Sequence, residues 1–244
     1  MKVAIVGAAG RMGQMLVKLA EADPGLEISA KVDVAPGYDA TWPAGTEAVI
    51  DFTFHAAVPA NIEKAASEGA AYVIGTTGLT AEEQARVDVC ATKIPVVQAA
   101  NYSLGVNLLL DLVKKAAAVL GPQYDIEIVE MHHNKKKDAP SGTAVRLGEI
   151  LSDAIGIDYE ADTRHGRVGL IGPRTKHEIG MHSLRGGDVV GDHTVIFATE
   201  GERIELAHKA SSRNCFANGA IRAVKFLATS QPGIYDMQDV LGLK

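Results

Sequence analysis

Lys2-Val-Ala-Ile-Val-Gly-Ala-Ala-Gly-Arg-Met-Gly13 opens the chain. An apolar run of strand type at 2–6 enters three glycines spaced GxxGxxG, and a helix-like segment follows at once over 11–22. Glycines in such a turn let the backbone approach a pyrophosphate, and the helix N-terminus adds unpaired N–H groups and a positive dipole end. The spacing departs from GxGxxG, and the same residues would also make a tight turn with no ligand. The context, first strand of an α/β alternation, favours the ligand. Asp33 lies at the end of the second strand, twenty residues after Gly13, where an acidic side chain accepts from an adenosine ribose. Gly7, Ala8, Ala9, Gly10, Arg11, Met12, Gly13 and Asp33 are therefore expected to hold a dinucleotide. Val34 follows Asp33 and offers no positive charge to a 2′-phosphate, so NADH is expected to be preferred; Arg11 and Lys31 leave NADPH use open.

Strand-like segments recur at 26–33, 47–52, 71–74 and 95–98, and helix-like ones at 56–68 and 80–91. This alternation predicts a parallel sheet covered by helices. Residues 34–46, with two prolines, two glycines and the only tryptophan, are read as a surface connection. Gly75-Thr76-Thr77-Gly78 and Ala99-Ala100-Asn101-Tyr102-Ser103 follow strands, at the sheet edge where α/β proteins bind ligands. All but the terminal Gly78 and Ser103 are taken as cofactor-contacting residues.

The pattern changes after residue 103. Val106, Leu109, Leu110, Val113 and Ala117 share a helix face. A strand over 124–130 follows, then a helix capped by Ser141 with Leu147, Ile150, Leu151 and Ala154 on its apolar face. Segments 176–184, 189–199 and 203–210, joined through Arg185-Gly-Gly-Asp188 and Glu200-Gly-Glu202, read as antiparallel hairpins, and helix returns over 217–228. The expected fold is α/β. A parallel-sheet pattern of Rossmann type comes first, and an α+β pattern takes over after residue 103.

Net charge is −6, which argues against a nucleic-acid surface, and no apolar run is long enough to span a membrane. The first strand begins at Lys2, leaving no room for a targeting segment. The two cysteines, Cys90 and Cys215, have no metal-ligand spacing, so both are expected to be buried thiols in a cytoplasmic protein.

Within this acidic chain lies Glu130-Met-His-His-Asn-Lys-Lys-Lys-Asp-Ala-Pro-Ser-Gly-Thr-Ala144, a local concentration of positive and titratable groups suited to a small dianionic substrate. Adjacent His132 and His133 point different ways on a strand end, so one can transfer a proton while the other holds a carboxylate. Ser141, Gly142 and Thr143 open a helix whose N–H groups and hydroxyls suit a carboxylate. One or two of Lys135, Lys136 and Lys137 are expected to be merely solvated. No third ligand accompanies the histidines, so no metal is expected.

This stretch resembles the signature segment of the dihydrodipicolinate reductase family. The resemblance extends through Gly7–Gly13, Asp51-Phe-Thr53, Gly75–Gly78, Ala99–Val106, Arg164-His-Gly166, Ile179–Asp188, Gly191-Asp-His-Thr194 and His208–Ala220. It implies NAD(P)H-dependent reduction of a cyclic imino dicarboxylate to tetrahydrodipicolinate on the diaminopimelate route to lysine. It further implies a Rossmann-like parallel-sheet domain (1–103 and 213–244) joined to an α+β substrate-binding domain with a mixed sheet (104–212), a homotetramer assembled through that sheet, and domain closure about hinges near 101–104 and 211–214. The implied roles are proton donation by His132 with Lys136, and carboxylate binding by His133, Gly142 and Thr143. Where family members carry a basic residue after Asp-Phe-Thr, this chain has Phe54. The competing readings are another two-domain nicotinamide-dependent reductase and a nonenzymatic NAD(H)-binding regulator.

Overall fold

The structure is a computed structural model describing residues 1–244. It divides into two units, Met1–Leu104 with Arg213–Lys244, and Gly105–Ser212.

In the first unit β1 (Lys2–Val6), β2 (Glu27–Val32), β3 (Ala48–Asp51), β4 (Ala71–Ile74), β5 (Pro95–Gln98) and β11 (Gly233–Tyr235) form one parallel sheet in the order β11-β5-β4-β3-β1-β2. Its inner strands β1, β3 and β4 are short, apolar and buried on both faces, as parallel sheets require. Val3, Ile5, Ile50 and Val73 pack with α1 (Arg11–Glu21), α7 (Asn214–Leu227) and α8 (Met237–Leu241). Ala4, Val6, Val49, Ile74 and Val96 pack with α2 (Val58–Glu68) and α3 (Ala81–Ala91). The chain passes from β2 on one side of β1 to β3 on the other, and this reversal leaves a crevice at the carboxyl ends of the strands. The stretch 34–46 differs from the expected surface connection at Trp42, which is buried in the second of these cores. Its indole donates to Glu68 at 2.9 Å beneath the Lys64 ammonium, so the connection is pinned by the apolar area of one residue.

The second unit holds a mixed sheet in the order β10-β9-β6-β8-β7, made of β6 (Asp125–His132), β7 (Thr163–His165), β8 (Ile179–Arg185), β9 (Gly191–Thr199) and β10 (Glu202–Ala210). β6 pairs parallel with β8 and antiparallel with β9. One face packs Ile126, Ile128, Met181, Val195 and Phe197 against α4 (Leu104–Leu120) and α5 (Gly142–Ile155). A hairpin joins β9 to β10 at Glu200-Gly201, with Gly201 at φ +88°. Arg185-Gly-Gly-Asp188, in contrast, is not a hairpin turn, because β6 lies between β8 and β9. Local alternation identifies each strand but does not say that an earlier strand is inserted between two later ones. No helix is long and apolar enough to cross a membrane, and no three His, Cys, Asp or Glu residues converge to hold a metal ion.

Candidate active site

Along β6, Ile126 and Ile128 lie on the core face, and the same parity carries Glu130 and His132. One strand face thus changes from apolar to titratable within two residues. The register sets Glu130 opposite His193 on β9 and Ser183 on β8, and His132 opposite Arg185. Glu130 is fully buried. Its carboxylate accepts from His132 Nδ1 at 2.6 Å, from both terminal nitrogens of Arg185 at 2.8 Å, and from the Ser141 amide at 3.2 Å. Because a carboxylate oxygen only accepts, the His132 proton facing it is on Nδ1 and Nε2 is the nitrogen left for a ligand. Burial alone would raise the Glu130 carboxyl, but hydrogen bonds from Arg185, then His132 and Ser183, outweigh it and hold its pKa at about 2.

Ser141 joins this carboxylate to α5. Its hydroxyl caps the helix by accepting from the Ala144 amide at 3.2 Å and is bonded to His193 Nε2 at 2.9 Å. His193 is buried, and its ring meets that of His132 edge-on at 5.2 Å. Burial, followed by the neighbouring His132, pushes the His193 pKa down to about 4, so this ring is neutral at pH 7. The loop between His132 and Ser141 is closed by Gly186 N–H donating to the His132 carbonyl and Arg185 donating to the Asp138 carbonyl. Lys136 is half-buried, and its ammonium pairs with Asp138 at 2.8 Å, whereas Lys135 and Lys137 are exposed. His133 has a buried Nδ1 with no hydrogen-bond partner. Gly142 and Thr143 form the first turn of α5, where N–H groups lack intrahelical acceptors. The structure therefore brings His132, Ser141, Gly142 and Thr143 to one end of the second unit's sheet. It adds Glu130, Arg185, His193 and Asp138, to which the sequence reading gave no role. Arg185 and His193 lie more than fifty residues from Glu130 in the chain, and only strand register reveals them.

In the first unit, Gly7 takes φ +82°, and a Cβ there would stand 2.5 Å from the Phe52 carbonyl oxygen. A Cβ at Gly13 would fall 2.1 Å from the Gly7 carbonyl oxygen, so both glycines are required by close approach. The amides of Gly7 and Ala8 donate to the Val32 carbonyl, Ala9 donates to the Asp33 carboxylate at 2.9 Å, and Gly10 donates to the Gly7 carbonyl. These four N–H groups are committed within the protein. The amides that begin α1, at Arg11, Met12 and Gly13, are the ones with no backbone acceptor and can bind an anion. Asp33 also accepts from Ala35, which fixes the carboxylate at the end of β2, while Val34 beside it is fully exposed.

A cavity of about 360 Å³ opens beside this helix start, lined by Arg11, Met12, Phe52, Gly75, Ala100, Asn101, Tyr102, Arg213 and Phe216. Gly75 has room for no side chain, since a Cβ would strike the Phe52 ring at 2.2 Å. The Tyr102 hydroxyl is committed to the Ile74 and Val97 carbonyls at 2.7 and 3.1 Å, so only its ring is available to a ligand. Thr76 is buried and its hydroxyl accepts from the Thr53 amide, Thr77 is exposed, and Ala99 is half-buried. The glycine cradle, free helix amides, two arginines and apolar walls fit a dinucleotide. Phe52, Arg213 and Phe216 are lining residues that the sequence reading did not assign. The signal for them lay in the quoted Asp51-Phe-Thr53 and His208–Ala220 stretches.

Family models for dihydrodipicolinate reductase match the chain on both sides, the N-terminal model over residues 1–102 and the C-terminal model over 105–241. The chain is 49% identical to a 4-hydroxy-tetrahydrodipicolinate reductase of Syntrophotalea carbinolica, over 100% of this chain and 99% of that protein. It is 50% identical to one of Akkermansia muciniphila, over 99% and 98%. Among solved structures, a dipicolinate-bound dihydrodipicolinate reductase from Paenisporosarcina sp. TG-14 superposes with a TM-score of 0.80 at 24% identity, covering 98% of each chain, which shows a common fold.

Proposed function

Because the chain belongs to the dihydrodipicolinate reductase family, we propose that it reduces 4-hydroxy-tetrahydrodipicolinate, or the dihydrodipicolinate left when that compound loses water, to tetrahydrodipicolinate for lysine synthesis. The observation that carries this reading is the buried Glu130, which binds a histidine, an arginine and the start of a helix at once. The nicotinamide cofactor supplies the hydride. The protein's part is to hold two carboxylates and deliver one proton. With its ring angle set by Glu130, the imidazolium form of His132 keeps Nδ1–H on that carboxylate and presents Nε2–H as the donor. Histidine suits the task because its ordinary pKa lies close to neutral pH. Lys136, drawn from Asp138, assists by stabilising negative charge as it develops on the ring nitrogen. Gly142 and Thr143 offer helix-start amides to one carboxylate, Ser141 holds that turn against Glu130 and His193, and the unpartnered His133 Nδ1 is assigned the same carboxylate. Oxidation of NADH tests the activity, with substrate generated in place from pyruvate and aspartate semialdehyde by its synthase. Oxidation should require every component; none from protein that binds NADH would exclude this substrate.

We infer that NADH is the preferred cofactor and is held by Gly7–Gly13, Asp33, Gly75–Thr77 and Ala99–Tyr102. Asp33 repels a 2′-phosphate, and Val34, fully exposed beside it, offers no compensating charge. Wild-type kcat/KM should favour NADH, and Val34→Arg should raise kcat/KM for NADPH up to about fivefold, one exposed charge contributing at most about 1 kcal/mol. Equal efficiencies in the wild type would refute the preference.

Self-association as a tetramer is also proposed. Arg167 and Arg174 clamp the two ends of a loop to Glu127 and Glu178. Val168, Leu170 and Ile171 stand exposed between them. Apolar side chains held out to solvent on a braced loop mark an interaction site. Leu170→Asp should shift the mass measured by light scattering to smaller species, and an unchanged mass would show that this loop is not an interface.

A further inference from the structure

The Asp51 carboxylate is fully buried at the end of β3. One oxygen accepts from the Thr53 amide at 3.0 Å, the Thr53 hydroxyl at 2.6 Å and the Thr76 hydroxyl at 3.3 Å; the other accepts from Asn61 at 2.8 Å and Tyr72 at 2.6 Å. Every partner is a neutral donor, and no lysine, arginine or histidine is among them. Neutral donors hold a carboxylate in place without cancelling its charge, and a buried charge with no counter-ion is costly. Tyr72 in turn has its phenol pushed far up, by burial and then by Asp51, so it remains a donor. Phe52, the next residue, and Gly75, the one before Thr76, both line the cavity. The uncompensated charge is therefore tied to the cavity lining through its neighbour Phe52 and through Thr76, which follows Gly75.

We propose that Asp51 is an electrostatic residue for hydride release, favouring the cationic nicotinamide of NAD⁺ over the neutral ring of NADH. Losing a hydride, one proton with two electrons, leaves that ring with a positive charge, and a fixed anion nearby stabilises the change without reorganising. The proposal rests on the reading that the cavity takes the nicotinamide cofactor.

Asp51→Asn tests it by removing the charge while keeping the shape. The Tyr72 hydroxyl and a turned Asn61 amide can each accept from the new amide. Dissociation constants for NAD⁺ and NADH are measured by calorimetry and fluorescence. NAD⁺ should weaken about tenfold, as expected for one charge pair about 12 Å apart at an effective dielectric of about 20, with NADH changed less than about twofold. Equal weakening of both, or of neither, overturns the proposal. Wild-type protein that binds neither nucleotide overturns the cofactor reading along with it. If Asp51→Asn does not fold, Tyr72→Phe decides, since it removes a donor and leaves the charge. The ratio of NAD⁺ to NADH affinity should then hold or rise, and a fall would overturn the proposal.

Discussion

His132→Gln should lower turnover by about 10²- to 10⁴-fold, the usual contribution of a positioned general acid, and leave NADH affinity nearly unchanged. Glutamine retains polarity and approximate length but cannot carry a transferable proton. His132 lies at the end of β6 in the second unit, whereas the dinucleotide cradle belongs to β1, α1 and β2 in the first. The loss should therefore appear in kcat and kcat/KM alike, the pattern of an interaction made only in the transition state. The paired measurements are steady-state rates and NADH titration by fluorescence. Turnover near that of the wild type would remove His132 as the proton donor. A parallel loss of NADH affinity would show instead that the substitution disturbs the fold.

Glu130→Gln should destabilise the protein by about 3 kcal/mol, the low end for breaking a buried ion pair, because Arg185 keeps 22% of its side-chain surface exposed. The amide no longer matches the two-pronged guanidinium and leaves it under-compensated. The pH dependence has a definite sign. In the wild type the Glu130 pKa is held at about 2, below the usual 4.5. Its contribution is complete above pH 4.5 and is lost as pH falls from there towards 2. His193, pushed from 6.5 to about 4, also favours the fold above its unfolded pKa, and that stability declines between pH 6.5 and 4 as unfolded chains take up the proton. Urea midpoints measured from pH 7 to 3 should therefore fall through both windows in the wild type. The variant should start lower and fall less steeply below pH 4.5; equal midpoints at pH 7 would show that the pair contributes no net stability.

The α/β class was legible because each strand in the first unit is a short apolar run ended by glycine or a polar turn, and each helix is amphipathic. Ser141 was legible as a cap because a cap acts on residues two or three positions away. Arg185 and His193 were not, because their roles depend on which strands flank β6. The connection after Arg185 looks locally like a hairpin, since antiparallel directions and a Gly-Gly turn fit either topology. β11 escaped notice for another reason. Gly233–Tyr235 is only three residues long and gains its strand character by pairing with Pro95–Val97. Asp51 stands in a legible Asp-Phe-Thr motif, but its meaning lies in five donors drawn from three other positions and its own turn.

The first unit is made from the two ends of the chain. A ribosome releases the sheet formed by β1–β5 well before α7 and β11 exist, with more than a hundred residues of the other unit in between. Until then Val3, Ile5 and Val73 lack the cover that Ala217, Ala220 and Val224 provide. The inserted segment, contiguous in sequence, can fold first, which leaves the 32 residues from Arg213 to Lys244 as the step that closes the first unit's core. A stop codon shortly after residue 212 would therefore leave the nucleotide-binding half with an open core and an unpaired β5 edge. Such a product is a candidate for aggregation and proteolysis rather than a shorter working enzyme.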